Sequence, residues 1–526
     1  MRDFHLPGRS TVLATNAMVA TSHPLAAQVA LDLLRAGGTA ADAAVGAAVL
    51  LGLCEPQMTG LGGDCFVLIQ PTAGAAVQAL NGSGRAPAAL DAQALRDRGL
   101  TAMPLHAPEA VTIPGAVDAF CTLLDAHGRL GLDRVLAPAI HYADEGVPVA
   151  PRVAFDWAED ARVLQDAARD LFLFAGQPPR TGQIFRAPGQ AEVLRRIARQ
   201  GRDGFYTGEV ARDMVDSLRA LGGCHTEEDF AATAATWGDP VAGGYRGADL
   251  LEHPPNGQGA TAILMLNILS HFDLAALDPL GADRAHLEAE AAKLAYDARN
   301  RFLADPDRTT RLAHMLAPET AAWLAALIDP ARAMPAAAPL TEAIHRDTIY
   351  MTVVDRDRMA VSLIYSIFHG FGSGLASSRF GINFQNRGAG FSLTPGHPNE
   401  AAGRRRPMHT IIPGLLRQPG GVDMPFGVMG GAYQPCGHAR VVSNLVDYGM
   451  DLQQALDAPR CFAGPEGMQI ERGYAPAVAQ ALADRGHAVS VPAKPLGGAQ
   501  AIRIDHQTGV LWGASDPRKD GCALGY

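Results

Sequence analysis

Residues 346–366 read RDTIYMTVVDRDRMAVSLIYS, and this stretch carries the clearest pattern in the chain. Two runs rich in β-branched residues, 349–354 and 360–366, flank a short charged turn, which predicts a β-hairpin. Thr348 begins the first strand and follows a segment rich in alanine and proline. From the local sequence alone, a threonine at this place is ordinarily a strand-edge residue.

The composition of the 526 residues is typical of a folded globular protein, with 48% hydrophobic and 19% charged residues. Length alone suggests about two to four domains. The net charge is −10, and the one basic run is Arg404-Arg405-Arg406. This charge balance argues against nucleic acid as a partner.

The cysteines and the N-terminus bear on the compartment. The seven cysteines are scattered and form no CxxC pair, so we predict neither a disulfide framework nor a zinc ribbon, and a reducing compartment fits best. The first residues lack the apolar core of a signal peptide. The longest apolar run, 43–54, is shorter than the ~20 residues that cross a bilayer. We therefore expect a cytoplasmic protein with no membrane segment.

Helices are predicted mainly on the N-terminal side of the hairpin. One begins at Pro24, and a second, 40–53, is apolar on nearly every side and so is expected to be buried, with Thr39 as its N-cap. The segment 153–219 has a largely helical period. The poorly patterned stretch 329–346 is interpreted as a flexible linker, which suits a segment that must release a cleaved end.

Strands dominate on the C-terminal side. Beyond the hairpin, the pattern predicts strands at 380–384, 410–416 and 424–429, followed by a helix from about His438. Strands grouped together, with helices grouped elsewhere, favour sheets that are covered by helices.

Several short motifs occur in the order found in a known family. The region around Thr348 resembles the processing site of the γ-glutamyltransferase family at Asp347-Thr348, Val353-Val354-Asp355, Ala360-Val361-Ser362, Phe371-Gly372-Ser373-Gly374 and Gly381-Ile382. Further matches cover almost the whole chain, from about residue 20 to residue 526, and include Val428-Met429-Gly430-Gly431.

The resemblance implies an N-terminal-nucleophile hydrolase of the α+β class. The expected fold is a four-layer αββα sandwich that two self-cleavage products form together. Cleavage before Thr348 would give a large subunit, 1–347, and a small subunit, 348–526, held together as one intertwined domain. The resemblance also leaves open a homodimer of this processed pair.

The implied chemistry places nucleophile and base in one residue. The exposed Thr348 hydroxyl attacks an amide carbonyl, and its own α-amine accepts the proton. An unperturbed α-amine has a pKa of about 7.7–8.0, so much more of it is neutral at pH 7 than of a lysine amine. In the family, a hydroxyl residue equivalent to Ser366 hydrogen-bonds the nucleophile, and a pair equivalent to Gly430-Gly431 supplies the oxyanion hole. Without the resemblance, a plain tight turn explains the glycine pair equally well.

The residues that bind a γ-glutamyl group in the family are largely replaced in this sequence. Asn386 matches, but Arg387 replaces a glutamine, and Gly390 replaces the aspartate that binds the substrate amine. A serine pair is replaced by His409-Thr410, and Phe368 stands where the family has asparagine.

Arg85 is a candidate for binding the substrate carboxylate. A guanidinium holds a carboxylate through two hydrogen bonds. The arginine of the family lies two positions earlier in this loop, where this chain has Ser83. A solvated loop arginine is therefore the alternative interpretation of Arg85.

Three functions remain open on these grounds. The first is a self-processed amidohydrolase acting on a small carboxylate-bearing amide, as in the oxamate amidohydrolase branch of the family, with cephalosporin acylases as another branch with altered pockets. The second is a γ-glutamyltransferase or glutathione hydrolase. The third is an unprocessed, non-catalytic binding protein. No cofactor is expected, and the absence of H-E-x-x-H or another metal-spaced motif predicts no metal.

Overall fold

In a computed structural model of the chain, which describes residues 5, 8–335, 348–464 and 467–526, two seven-stranded sheets lie face to face. The strands are β1 Val12–Ala14, β2 Met18–Thr21, β3 Asp64–Gln70, β4 Gln78–Gly82, β5 Val147–Pro148, β6 Ile184–Phe185, β7 Thr236–Gly238, β8 Val241–Tyr245, β9 Ala248–Glu252, β10 Ile349–Val354, β11 Ala360–Ser366, β12 Gly414–Gln418, β13 Val422–Met429, β14 Cys461–Gly464, β15 Gly467–Ile470, β16 Val489–Ser490, β17 Gly498–Asp505, β18 Leu511–Ser515 and β19 Cys522–Gly525.

Helices cover the outer faces of both sheets. They are α1 Pro24–Arg35, α2 Ala40–Cys54, α3 Ala92–Asp97, α4 Ala116–His127, α5 Leu132–Glu145, α6 Pro151–Asp160, α7 Asp166–Phe172, α8 Pro188–Gln200, α9 Asp203–Tyr206, α10 Gly208–Ala220, α11 Glu227–Ala231, α12 Gly259–Leu269, α13 Ala282–Phe302, α14 Leu312–Leu316, α15 Pro318–Ala325, α16 Gln434–Val446, α17 Leu452–Asp457 and α18 Pro476–Asp484. None of these helices combines the length and the apolar character that crossing a lipid bilayer requires.

The strand order interleaves the two halves of the chain in both sheets. The first sheet runs β19-β2-β10-β11-β3-β4-β7 and the second runs β1-β18-β17-β13-β12-β9-β8. In each sheet, strands from before and after residue 348 are hydrogen-bonded to one another. The four-layer αββα sandwich expected from the sequence is confirmed.

Apolar side chains fill three interfaces between these four layers. One core joins α1, α2, α4, α5 and α8 to the first sheet, and a second joins α12, α13 and α16 to the other. Between the sheets, Phe66, Tyr350 and Met429 pack together with their neighbours. The Tyr350 ring lies over Gly427, where an added Cβ would come within 2.4 Å of a ring carbon.

The hairpin is anchored to the buried helix α2. All residues of α2 are buried, as expected, and Thr39 forms a capping box with Asp42 at its start. The turn residue Asp355 accepts a hydrogen bond from the Ala40 amide at 2.9 Å. The hairpin turn is thus held at the helix N-terminus, where the macrodipole favours a carboxylate.

Most predicted elements are confirmed, with one clear error and one shifted strand, since the strand predicted at 410–416 is Gly414–Gln418. The two hairpin strands match their predicted bounds, and the segment 153–219 is largely helical. The predicted strand 380–384 is wrong, because Gly381 has a φ of +66° and the segment forms only isolated bridges. The predicted linker 329–346 lies outside the described residues from position 336 onward.

Candidate active site

Thr348 and Ser366 face each other across the hairpin. Because Ile349 pairs with Tyr365 in the antiparallel ladder, Thr348 and Ser366 form the next pair outward. The Thr348 hydroxyl lies 3.2 Å from the Ser366 Oγ and donates to it. Both residues are buried. The two hydroxyls predicted to act together are therefore in contact, while Asp347 lies outside the described residues.

Arg387 places a cation beside this pair of hydroxyls. Its side chain is fully buried, and its Nη2 lies 3.4 Å from the Ser366 Oγ. Its Nη1 donates to the Thr410 hydroxyl at 2.8 Å. The Phe368 ring faces the guanidinium carbon at 3.9 Å, within the range of a cation–π interaction. Three of the substituted positions, Arg387, Thr410 and Phe368, thus form one cluster that reaches Ser366, the partner of the predicted nucleophile.

The Gly430-Gly431 pair forms a left-handed turn where β13 ends. The φ angles are +112° and +54°, a region in which glycine carries no steric penalty. Gly430 also lies close to Gly497, whose Cα would be 3.0 Å from an added Cβ. Within the described part of the chain, neither of the two amides donates to a protein acceptor. Such a turn can direct backbone N–H groups at one anion.

Gln258 holds this turn against the neighbouring loop. Its Nε2 donates to the Gly431 carbonyl at 3.0 Å and to the Thr410 carbonyl at 2.5 Å. Its Oε1 accepts from Arg299 at 2.8 Å. One buried amide group therefore couples the glycine turn to the residue that contacts Arg387.

His409 is the neutral partner of a buried carboxylate. Its Nδ1 accepts from the Ile411 amide at 3.3 Å, so its Nε2 carries the proton and donates to Asp64 at 3.1 Å. Burial lowers the pKa of His409 to about 3, and the Arg387 guanidinium adds to this effect. His409 is therefore neutral at pH 7, and it has no described contact with Thr348.

Asp64 gathers donors from four separate segments. Its Oδ1 accepts from the Gly84 and Gly115 amides and from Gln385 Nε2, at 2.9 to 3.1 Å, while Oδ2 accepts from His409. Such a set of donors satisfies a buried carboxylate. Asp64 therefore links four segments around the candidate site through hydrogen bonds to one carboxylate.

The remaining predicted residues occupy different places. Asn386 is buried, donates to the Leu105 carbonyl at 3.0 Å and accepts from the His369 amide at 3.2 Å. Arg85 is partly exposed and contacts Asp305 at 3.5 Å and the Arg404 carbonyl at 2.9 Å. Arg85 makes no described contact with the Thr348 group, so its role as a clamp stays a prediction.

Sequence reasoning assigned no role to Asp64, Gln258 or Asn256. Asn256 connects the loops, because its side chain bonds Asn81, Ser83 and the Pro407 carbonyl. Asp64 follows a glycine-rich loop and starts a buried strand. An acidic residue at the start of a buried strand could have indicated a functional carboxylate from the sequence alone. Gln258 and Asn256 lie in an irregular loop, where no periodicity indicates which side chains point inward.

The family model described as gamma-glutamyltranspeptidase matches residues 26–526. The chain is 36% identical to the glutathione hydrolase-like YwrD proenzyme of Bacillus subtilis, with 98% of this chain and 99% of the relative covered. It is also 36% identical to the oxamate amidohydrolase proenzyme of Klebsiella pneumoniae, with 98% and 100% covered.

A solved structure matches the whole architecture. The cephalosporin acylase from Bacillus halodurans superimposes with a TM-score of 0.91 at 38% identity, and the match covers 100% of this chain and 99% of the other. Both the fold and the order of the elements are therefore shared with this protein.

Proposed function

The chain belongs to the γ-glutamyltranspeptidase family, and from that premise we propose that it is a self-processing amidohydrolase with an N-terminal threonine nucleophile. Its substrate is a small amide that bears a carboxylate close to the scissile bond, as oxamate does. Supporting this proposal, two relatives described above at 36% identity are named as proenzymes.

The proposed reaction begins at Thr348. After cleavage of the 347–348 bond, the free α-amine takes the proton of the Thr348 hydroxyl as its oxygen attacks the substrate carbonyl. The Ser366 hydroxyl, 3.2 Å away, orients that oxygen. The Gly430 and Gly431 amides stabilise the tetrahedral oxyanion. Collapse breaks the C–N bond, the protonated amine delivers its proton to the leaving nitrogen, and water then hydrolyses the acyl ester.

The position of Arg387 carries the substrate assignment. Only the Ser366 hydroxyl separates its guanidinium from the Thr348 hydroxyl. A carboxylate bound at this guanidinium would lie close to the scissile carbonyl, which favours a substrate in which the two carbons are near neighbours. In oxamate the two carbons are bonded to each other, whereas a γ-glutamyl group separates them by three carbons. The Phe368 ring over the guanidinium further favours a planar, compact anion.

Gly390 supports the absence of an α-amine in the preferred substrate. The family's acidic partner for that amine is missing at this position, and leaving an ammonium without a partner costs several kcal/mol when it is buried. A true glutathione hydrolase is the second candidate, because one relative at 36% identity is named glutathione hydrolase-like.

A panel of amides tests the proposal directly. We expect kcat/KM for oxamate and other amine-free amides with an adjacent carboxylate to exceed that for γ-glutamyl anilide and glutathione. Arg387→Gln should remove most of this preference, and Arg387→Lys should retain part of it, because a lysine keeps the charge but not the planar fork. Faster hydrolysis of glutathione than of every amine-free amide would establish the second candidate instead.

The missing acidic residue can be restored by mutation. Gly390→Asp should shift the preference toward γ-glutamyl substrates, because it supplies a partner for their ammonium group. Its matched control is Gly390→Asn, which has the same size without the charge. An added Cβ would lie 3.0 Å from the Met408 carbonyl in both variants, so any steric effect is shared. Equal preferences in the two variants would show that charge at this position does not select the substrate.

A further inference from the structure

Away from Thr348, three buried polar side chains converge beneath the surface. His286 and Glu290 lie one turn apart on α13, and His487 follows α18. Their exposed fractions are 0%, 0% and 7%. His286 Nδ1 lies 2.8 Å from His487 Nε2, and Glu290 Oε1 lies 3.9 Å from the same nitrogen. Three potential ligand atoms of suitable type are thus within 4.8 Å of one another.

The outer contacts of His286 and Glu290 aim their ligand atoms at this point. His286 Nε2 lies 2.8 Å from the Asp329 carbonyl, which can only accept, so Nε2 carries the proton and Nδ1 presents a lone pair. Glu290 Oε2 accepts from the Met334 amide at 2.8 Å, which directs Oε1 inward. A histidine that ligates a metal typically donates its other N–H to a backbone carbonyl in this way.

His487 has to change its tautomer to bind a metal. Because His286 Nδ1 presents a lone pair, His487 Nε2 is the donor in the 2.8 Å hydrogen bond between them. A metal ion binds an unprotonated ring nitrogen, so ligation moves the proton of the neutral His487 ring from Nε2 to Nδ1. Ligation requires His487 Nε2 to give up its hydrogen bond to His286, and an ion at ~2.0–2.1 Å from each nitrogen would widen their separation by only about half an ångström.

The Lys293 ammonium group supplies the positive charge in this cluster. Its Nζ lies 2.6 Å from Glu290 Oε1 and 2.9 Å from the Met334 carbonyl. Its side chain is 14% exposed, so the ammonium can move outward into water. A divalent ion and the Lys293 ammonium would therefore compete for the same carboxylate oxygen.

We propose that His286 Nδ1, Glu290 Oε1 and His487 Nε2 form a binding site for a divalent transition metal of the zinc class, which displaces the Lys293 ammonium. Two imidazoles and one carboxylate are a ligand set that suits Zn²⁺, with water as the fourth ligand. The proposal departs from the sequence prediction of no metal, because His487 is far from the other two ligands along the chain.

The site would act as a clamp on the segment that leads to residue 336. Both outer partners, the Asp329 carbonyl and the Met334 amide, belong to that segment. The ligands themselves come from the two sides of residue 348. A bound ion would therefore hold 329–334 on α13 and would join the two predicted cleavage products.

Metal titration of the tag-free, chelator-treated full chain tests the site. We expect one Zn²⁺ per chain in competition with a chromophoric chelator, and Co²⁺ should give the visible absorption of a tetrahedral complex. His487→Ala and Glu290→Gln should lose this site, and the exposed control His141→Ala should keep it. Far-UV circular dichroism verifies that each variant is folded.

Lys293→Gln separates a specific site from adventitious binding. Glutamine can still donate to the Met334 carbonyl but removes the competing charge, so Zn²⁺ should bind severalfold more tightly than to the wild-type chain. The site is disproved if the wild-type chain binds no Zn²⁺ in the micromolar range, or if ligand variants bind as the wild type does. Unchanged or weaker binding by Lys293→Gln would equally overturn the competition on which the site is built.

Discussion

Thr348 and Ser366 meet because of a register that can be counted from the sequence. Once the charged turn at 355–359 is placed, an antiparallel hairpin puts these two residues opposite each other. The partners Arg387 and Thr410 could not be predicted in this way, because they lie in irregular segments whose side-chain directions follow no period. Their contact at 2.8 Å depends on how loops from distant parts of the chain pack.

A substitution at Gly431 tests the proposed oxyanion hole. Gly431→Ala should lower kcat by at least about tenfold, since removing an oxyanion donor costs about 10²–10³ and a shifted turn misaligns one. The φ of +54° at Gly431 makes an alanine strain the turn. Gly420→Ala is the matched control, because Gly420 also has a positive φ, +85°, but open space around it. Equal turnover in the two variants would make Gly431 an ordinary turn residue.

Among the elements, the regular ones were the most predictable. The hairpin strands and the buried helix α2 have strong periods and clear boundaries, so their sequence-based bounds agree with the structure to within one residue. The erroneous strand at 380–384 has an apolar alternation, but Gly381 is left-handed there. The conformation of a single glycine is not visible in a hydrophobicity pattern.

We expect the position of the Gly430-Gly431 turn to depend on the hydrogen bonds of Gln258. Gln258→Met keeps the side-chain length but removes the donor to the Gly431 and Thr410 carbonyls. We expect kcat to fall by about tenfold, less than for loss of a direct oxyanion donor, with little change in KM. Gln190→Met, which removes a comparable hydrogen bond to the Gly381 carbonyl at 2.9 Å, should leave kcat unchanged. A wild-type kcat for Gln258→Met would rule out this positioning role.

For the whole molecule, buried histidines predict a loss of stability in acid. Burial lowers the pKa of His409 to about 3 and those of His253 and His23 to about 4. Each folded pKa is below the unfolded value of 6.5, so their stabilising contribution is complete above about pH 6.5 and is lost as the pH falls toward 3 or 4.

Urea unfolding of the single-chain Thr348→Ala variant measures this effect. One such histidine should lower the free energy of unfolding by up to about 1.4 kcal/mol per pH unit below 6.5. Adding His409→Asn should therefore reduce the loss between pH 7 and pH 5 by about 2 kcal/mol, whereas the exposed His141→Ala should not. A loss that His409→Asn leaves unchanged would show that His409 does not resist protonation in the folded state.

The architecture of the whole chain was predictable because many motifs occur in the order found in the family. In the structure, each sheet takes strands from both sides of residue 348. Such interleaving allows the two halves to stay together after a cut. The cut itself is the central claim, since without it Thr348 has no free α-amine and the proposed mechanism has no base.

The intact mass and the N-terminal sequence of the purified protein test that claim most directly. The account predicts two fragments, 1–347 and 348–526, that co-purify, with Thr348 as the first residue of the smaller one. Thr348→Ala should remain one chain of 526 residues, and Thr348→Ser, which keeps a hydroxyl, should still be cleaved. A wild-type preparation that hydrolyses amides while every molecule is a single uncut chain would contradict the account.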